Sequence, residues 1–216
     1  MKVNLISYSQ SKIFDSLQES IAYCARVSNP SNQISSATSE KLLRYLIKHG
    51  HWSPFEMASI CLEIDTTRDI ARQILRHRSF SFQEFSQRYA DPTMDLAFET
   101  REARLQDNKN RQNSIETDNI QLQKTWEQKQ LTIIEQAQKV YRWAIENNIA
   151  KEQARTLLPE GLIQSRLYMN GTVRSWMHYI KLRSTFGTQK EHVEIAKECG
   201  KVIEPIFPLI KDFIND

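Results

Sequence analysis

Between Met57 and Ile64 every even-numbered position is apolar (Ala58, Ile60, Leu62, Ile64), the period of two that marks a strand with one buried face. Val3 to Tyr8 alternates more loosely and predicts a second strand, at a sheet edge. From Asp15 to Val27 the period lengthens, and Leu17, Ile21 and Cys24 fall on one helical face. Glu40 to Lys48 reads as a helix capped by Thr38 or Ser39 and stopped at Gly50. Pro54 breaks the chain before the strand, and Thr67 is expected to cap a helix through Ile70, Ala71, Ile74 and Leu75. That helix sets Arg76 to Arg78 at its C-terminal end.

From Ser79 the pattern admits two readings. An extended segment places Glu84, Ser86 and Arg88 on one side, whereas a helix places Phe82, Phe85 and Tyr89 on one stripe. Asp91 to Thr117 is polar and reads as a mobile excursion with some helix, serving as a lid, an oligomer contact or a solvated loop. A long helix follows from about Ile120 to Asn147, its apolar stripe formed by Trp126, Ile133, Ile134, Ala137, Val140, Tyr141 and Ala144. A helix from Lys151 carries Arg155 and ends before Pro159, and Leu162 to Met169 has weak strand character. Thr172 caps a helix through Arg183, with Arg174 and His178 at i and i+4; the last helix, from Gln189, is kinked or broken near Pro205 and Pro208. The order of elements predicts an α+β fold, with a small, mainly antiparallel sheet and packed helices in a single domain over residues 1–216.

Composition narrows the chemistry. Five glycines (Gly50, Gly161, Gly171, Gly187, Gly200) lie far apart, so neither a dinucleotide fingerprint nor a Walker loop can be built. Any dinucleotide must be held by arginines and helix N-termini. A net charge of +3 suits anionic small molecules and is far from a nucleic-acid-coating polycation. Three scattered cysteines (Cys24, Cys61, Cys199) exclude a disulfide framework, and no signal peptide or membrane-length apolar run occurs, so a cytoplasmic protein is expected. The five histidines form no H-E-x-x-H or Cys/His cluster, and no metal site is expected.

The densest chemistry lies in Arg76-His77-Arg78-Ser79-Phe80-Ser81-Phe82-Gln83-Glu84-Phe85-Ser86-Gln87-Arg88-Tyr89. Arginine forks bind phosphate in bidentate fashion, Ser86 offers a hydroxyl, and Glu84 accepts from a sugar hydroxyl or a ring N–H. The aromatics add stacking or packing surface. Read as chemistry, this is a cradle for an anionic, ring-bearing ligand; read blandly, it is solvated surface over core phenylalanines.

The Arg-His-Arg run followed by Ser86-x-Arg88 resembles the signature of the flavin-dependent thymidylate synthases. His49-Gly50-His51-Trp52-Ser53-Pro54-Phe55-Glu56, Ala71-Arg72-Gln73-Ile74, Ala154-Arg155-Thr156-Leu157-Leu158-Pro159 and the helix Arg174 to Arg183 resemble further blocks of that family in the same order. Gln83 stands where many members have Asn, and Asn170-Gly171-Thr172-Val173-Arg174 matches its block only approximately.

The resemblance implies methylation of dUMP at C5 with methylenetetrahydrofolate, using FAD reduced by NADPH and no cysteine nucleophile. It implies dUMP binding by Gln73, Arg76, Glu84, Phe85, Ser86, Gln87, Arg88, Arg155 and Arg183, with Arg183 also the catalytic group that stabilises negative charge on the uracil. It implies FAD binding by Ser53, Arg76, His77, Arg78, Glu84, Thr172, Arg174 and His178, leaves Asn170 as the alternative to Thr172, and puts His51 and Tyr89 near the folate or nicotinamide. A homotetramer with shared sites follows from the same resemblance. Two alternatives remain at this point: a single-stranded nucleic-acid-binding module that uses the Arg/Phe segment, and folate-dependent methylation of uridine in RNA.

Overall fold

The computed structural model describes residues 1–214. Strand β1 (Lys2–Tyr8) is followed by helices α1 (Leu17–Ala25) and α2 (Ser39–Lys48), then a 3-10 turn at Ser53–Glu56. Next come β2 (Ser59–Thr67), α3 (Arg68–Ile74) and β3 (Phe80–Glu84). The short α4 (Pro92–Asp95) precedes a hairpin of β4 (Arg104–Gln106) and β5 (Ser114–Glu116). Helix α5 (Ile120–Glu146), α6 (Lys151–Ala154), β6 (Gln164–Thr172), α7 (Val173–Arg183) and α8 (Lys190–Ile203) complete the order, before a 3-10 segment at Pro208–Phe213.

The main sheet has the order β1-β2-β6-β3, so β1 is the edge strand its weak alternation predicts. Strands β2 and β6 run antiparallel: Val173 N–H donates to Ala58 O at one end and Arg68 N–H to Ile163 O at the other. Between those ends Tyr168 bridges to Glu63 and Arg166 to Asp65. Strand β3 is also antiparallel to β6, since Phe85 N–H donates to Arg166 O while Phe80 lies against Gly171. A Cβ at Gly171 would stand 2.4 Å from the Phe80 ring, so only glycine allows that approach. At the other edge Ser9 N–H donates to Ser59 O and Asn4 reaches Glu63, again in opposite directions. Helices and a small antiparallel sheet make this the expected α+β class.

The residues cluster into two compact units. One holds residues 65–76 and 83–167, with Met1; the other holds residues 2–64, 77–82 and, of the described residues, 168–214. In the first, α5 packs on α6 and a cluster of Tyr141, Ala144, Ala154, Leu158 and Ile163 forms its core. In the second, α1 packs on α2, and α8 packs on α7 and β1. Ile60, Leu62 and Ile64 are fully buried there, as the alternation requires, and the Trp176 indole donates to Ile60 O at 3.0 Å.

Several expectations are corrected. Cys24 is exposed, although Leu17 and Ile21 on the same helix are buried. The segment after Ser79 is a strand, not a helix, but it stops at Glu84; a turn follows, so Ser86 and Arg88 do not continue the Glu84 edge. Asp91 to Thr117 contains the β4–β5 hairpin, which its polar composition concealed. Three members of the predicted α5 stripe, Trp126, Ile133 and Val140, are exposed, while the polar Gln130 is buried because it hydrogen-bonds both ways with the Arg101 backbone. Arg155 lies in a 3-10 turn after α6, not within the helix, whereas α8 ends at Ile203, which is the expected break near Pro205. The weak strand at Leu162 to Met169 is the central β6, whose buried alternation continues to Gly171. Among the described residues no helix is long and apolar enough to cross a membrane.

Candidate functional site

The candidate residues fall in both units, and each unit has its own local frame. In the first, the N-terminus of α3 sets the charges. Asp69 accepts both guanidinium nitrogens of Arg101, at 2.8 and 2.6 Å. Burial pushes its carboxyl up, but bonds from Arg101 and Thr67 outweigh that and leave it below the usual range. Arg68, one residue earlier, is 12% exposed at its side chain and faces Glu84 at 3.5 Å, an ion contact longer than a well-formed hydrogen bond. Burial lowers its affinity for a proton, Glu84 opposes this, and the nearby Arg72 and Arg155 add to the lowering.

Glu84 is fixed from a second side, where the Ser165 hydroxyl donates to it at 2.8 Å. The turn beyond β3 is held by Tyr89 and Ala90 N–H groups donating to Ser86 O, and by Arg88 N–H reaching the Ser86 hydroxyl at 3.4 Å. Among the buried donors of this unit that make no hydrogen bond are Gln87 Nε2 and Arg68 Nη1, the latter held only by the 3.5 Å ion contact with Glu84. Desolvated donors of this kind are suited to an acceptor-rich ligand. Arg88 is exposed and pairs with Glu152 at 3.2 Å. Lys151 donates to Tyr89 O, while Tyr89 as a whole is 86% exposed. Gln73 lies half-buried on α3, Arg76 is exposed in the following turn, and Phe85 and Arg155 are half-buried.

In the second unit, α2 ends on Gly50 at φ +70°, the left-handed conformation that glycine adopts without a Cβ clash. Gly50 N–H then reaches Ile47 O and His51 N–H reaches Leu46 O, which closes the helix and sets His51 on the surface. Ser53 is exposed in the next turn. Thr172 caps α7 as expected, its hydroxyl accepting from Ser175 N–H, while Asn170 is exposed. Arg174 donates to Glu56 at 2.6 Å. His178, one turn on, lies against Trp52 with centroids 4.6 Å apart. Burial, then Arg174 and Lys181, make its ring harder to protonate.

At the other end of α7, the Arg183 Nε–H donates to His77 Nε2 at 2.9 Å, while Arg78 is exposed. Sequence reasoning joined His77 and Arg183 only through resemblance; the fold makes them neighbours. It missed Arg68, hidden as the first residue of a helix, and Glu152, Tyr179 and His192, whose partners are distant in sequence. Trp52, within a quoted block, gave no sign of its contact with His178. Among the described residues no group of three or more His, Cys, Asp or Glu side chains is arranged to hold a metal. Neither Cys61 nor Cys199 resembles an activated thiol, since burial pushes both up, Cys199 strongly.

Comparisons with known proteins agree with one another. The family model described as thymidylate synthase complementing protein matches residues 5–209. A probable flavin-dependent thymidylate synthase of Paramecium bursaria Chlorella virus 1 is 46% identical over 215 residues, covering 97% of each chain. A flavin-dependent thymidylate synthase of Synechocystis sp. is 50% identical over 190 residues, covering 88% of this chain and 86% of the relative. A UMP/dUMP methylase, PolB of Streptomyces cacaoi bound with 5-Br dUMP, matches with a TM-score of 0.80 at 24% identity over 98% of this chain and 93% of that one. At that identity the likeness speaks for the fold.

Proposed function

The chain belongs to the thymidylate synthase complementing protein family, and from that membership we propose that it is a flavin-dependent thymidylate synthase, a methyltransferase that converts dUMP to dTMP. The observation that carries this reading is the family match over residues 5–209, with relatives of that activity at 46% and 50% identity.

The reaction exchanges the C5 hydrogen of the uracil for a methyl group. Methylenetetrahydrofolate supplies carbon at the formaldehyde level, so a further two electrons are needed, and NADPH is the proposed source. FAD, when bound, carries those electrons between nicotinamide and substrate. The chain's own task is to bind anions and steady charge. Arg183 stabilises negative charge on the uracil ring as C5 becomes nucleophilic. Arg76, Arg88 and Arg155 neutralise phosphate, while Gln73, Glu84, Phe85, Ser86 and Gln87 orient the nucleoside. The Gln87 amide, which makes no hydrogen bond through Nε2, and Arg68, held only by a long ion contact with Glu84, fit an anionic, acceptor-rich ligand in that unit. Ser53, Arg76, His77, Arg78, Glu84, Thr172, Arg174 and His178 are the proposed FAD contacts, and His51 and Tyr89 face folate or nicotinamide.

We assign the whole chain to one catalytic domain acting in a cytoplasmic homotetramer with shared sites. The exposed apolar side chains of α5, Trp126, Ile133 and Val140 among them, are suited to burial against other copies. No observation favours the nucleic-acid-binding alternative.

The test is direct. Purified protein should be yellow, release FAD on denaturation, and form dTMP from dUMP with methylenetetrahydrofolate and NADPH. UMP and uridine-containing RNA serve as competing acceptors in the same assay. A protein that cannot be loaded with FAD, or that methylates RNA and not dUMP, overturns the reading.

A further inference from the structure

Against His77, the partner of Arg183, lies a buried polar pair that the proposed reaction does not use. Tyr179 on α7 and His192 on α8 are both fully buried, and the Tyr179 hydroxyl lies 3.1 Å from His192 Nε2. The Tyr179 ring meets the His77 ring edge to face, with centroids 4.9 Å apart and planes at 87°. His192 stands 6.4 Å from His77 at 89°. His77 Nε2 accepts the Nε–H of Arg183. A guanidinium only donates, so Nε2 carries no proton, and His77 is the neutral tautomer protonated at Nδ1.

We propose that the Tyr179–His192 hydrogen bond fixes the aromatic wall against which His77 is held, so that His77 keeps its acceptor nitrogen on Arg183. Tyr179 and His192 are then positioning residues for Arg183. The physical gain is preorganisation: the rotamers of a long arginine are restricted on folding and not when the substrate arrives. A buried phenol anchored at its hydroxyl cannot tilt, whereas phenylalanine at the same place lacks that restraint. The consequence for dUMP rests on the assignment of Arg183 to the uracil; the effect on His77 does not.

The experiment uses the full-length protein and three variants: Tyr179→Phe, which removes one oxygen atom, Arg183→Gln, and the two combined. Imidazole nitrogen NMR of His77 should show the Nδ1–H tautomer alone in the parent and a tautomer mixture in Tyr179→Phe. Equilibrium titration should show dUMP affinity falling on the order of tenfold in Tyr179→Phe, the size of a weakened charge-assisted hydrogen bond. In the Arg183→Gln background the same change should add almost nothing, because the two act through one contact. An unaltered His77 tautomer in folded Tyr179→Phe overturns the proposal, as do additive losses in the combined variant, the signature of a general structural defect. If Arg183→Gln leaves dUMP binding intact, the assignment of Arg183 is wrong, and the His77 spectrum alone decides whether the positioning contact exists. Should Tyr179→Phe fold poorly, His192→Gln, which keeps a hydrogen-bonding side chain, should restore the parent His77 spectrum where His192→Leu does not; the same spectrum from both overturns the proposal.

Discussion

Arg183 and Arg88 are both proposed to meet dUMP, yet the molecule treats them in opposite ways. Arg183 is half-buried at the end of α7 and held by the neutral ring of His77. Arg88 is exposed in a turn and held by the carboxylate of Glu152. A neutral acceptor orients a guanidinium without cancelling its charge, so the His77 contact costs Arg183 none of its field. A carboxylate partner cancels much of that field, and an anionic ligand must displace or share it. The first arrangement suits charge that develops during reaction; the second suits exchangeable binding of phosphate.

The largest effect should come from Arg183→Lys. Lysine keeps the charge but has no planar fork and no Nε–H to anchor on His77. dTMP formation at saturating dUMP should fall on the order of a hundredfold or more, as when a charge-stabilising donor is lost. Turnover within a few-fold of the parent would remove Arg183 from the chemistry and collapse the contrast. Arg88→Lys should act on binding instead. The loss of a bidentate contact should weaken dUMP on the order of tenfold with little change in turnover at saturation. An effect on turnover alone would show that the two arginines share a role.

Acid stability tests the frame around α3. The folded-state carboxyl of Asp69 lies below its ordinary value of 3.8, so its pairing with Arg101 stabilises the protein fully above that pH. The contribution is lost as pH falls through the lower folded-state value. The difference in Tm between the parent and Asp69→Asn should therefore be greatest near neutrality and narrow below about pH 3.8. A constant difference would mean that the pair contributes no charge-dependent stability.

Glu152→Gln should have a smaller effect of the opposite sign. Exposed ion pairs contribute about 0–1 kcal/mol, so freeing Arg88 should tighten dUMP by no more than about fivefold, measured by titration at low salt. Weaker binding would make Glu152 a ligand contact instead of a competitor. The smallest effect is expected from Cys24→Ser, Cys61→Ser, Cys199→Ser. Stability should drop because Cys199 is buried, but the folded, flavin-loaded variant should still form dTMP. No product from that variant would show that a thiol is required.

Short-range chemistry was legible in the chain. The period-two run from Ala58 to Ile64 specifies the inner face of β2, because successive side chains of a strand alternate sides whatever packs on them. Gly50 closes α2 and Thr172 caps α7, both local events decided within a few residues. The ordered motifs identified the family and named the candidate residues. Tertiary structure decided the rest. Gln130 is buried because the distant Arg101 backbone satisfies its amide, while Trp126 on the same helix is left exposed. The strand carrying Glu84 ends there, placing Ser86 and Arg88 in a turn, because backbone pairing and not side-chain pattern determines where a strand stops. Most of all, nothing local joins His77 to Arg183 or Tyr179 to His192. A side chain's partner across the sequence depends on which elements pack together, and here that packing gives Arg183 a ring acceptor and Arg88 a carboxylate.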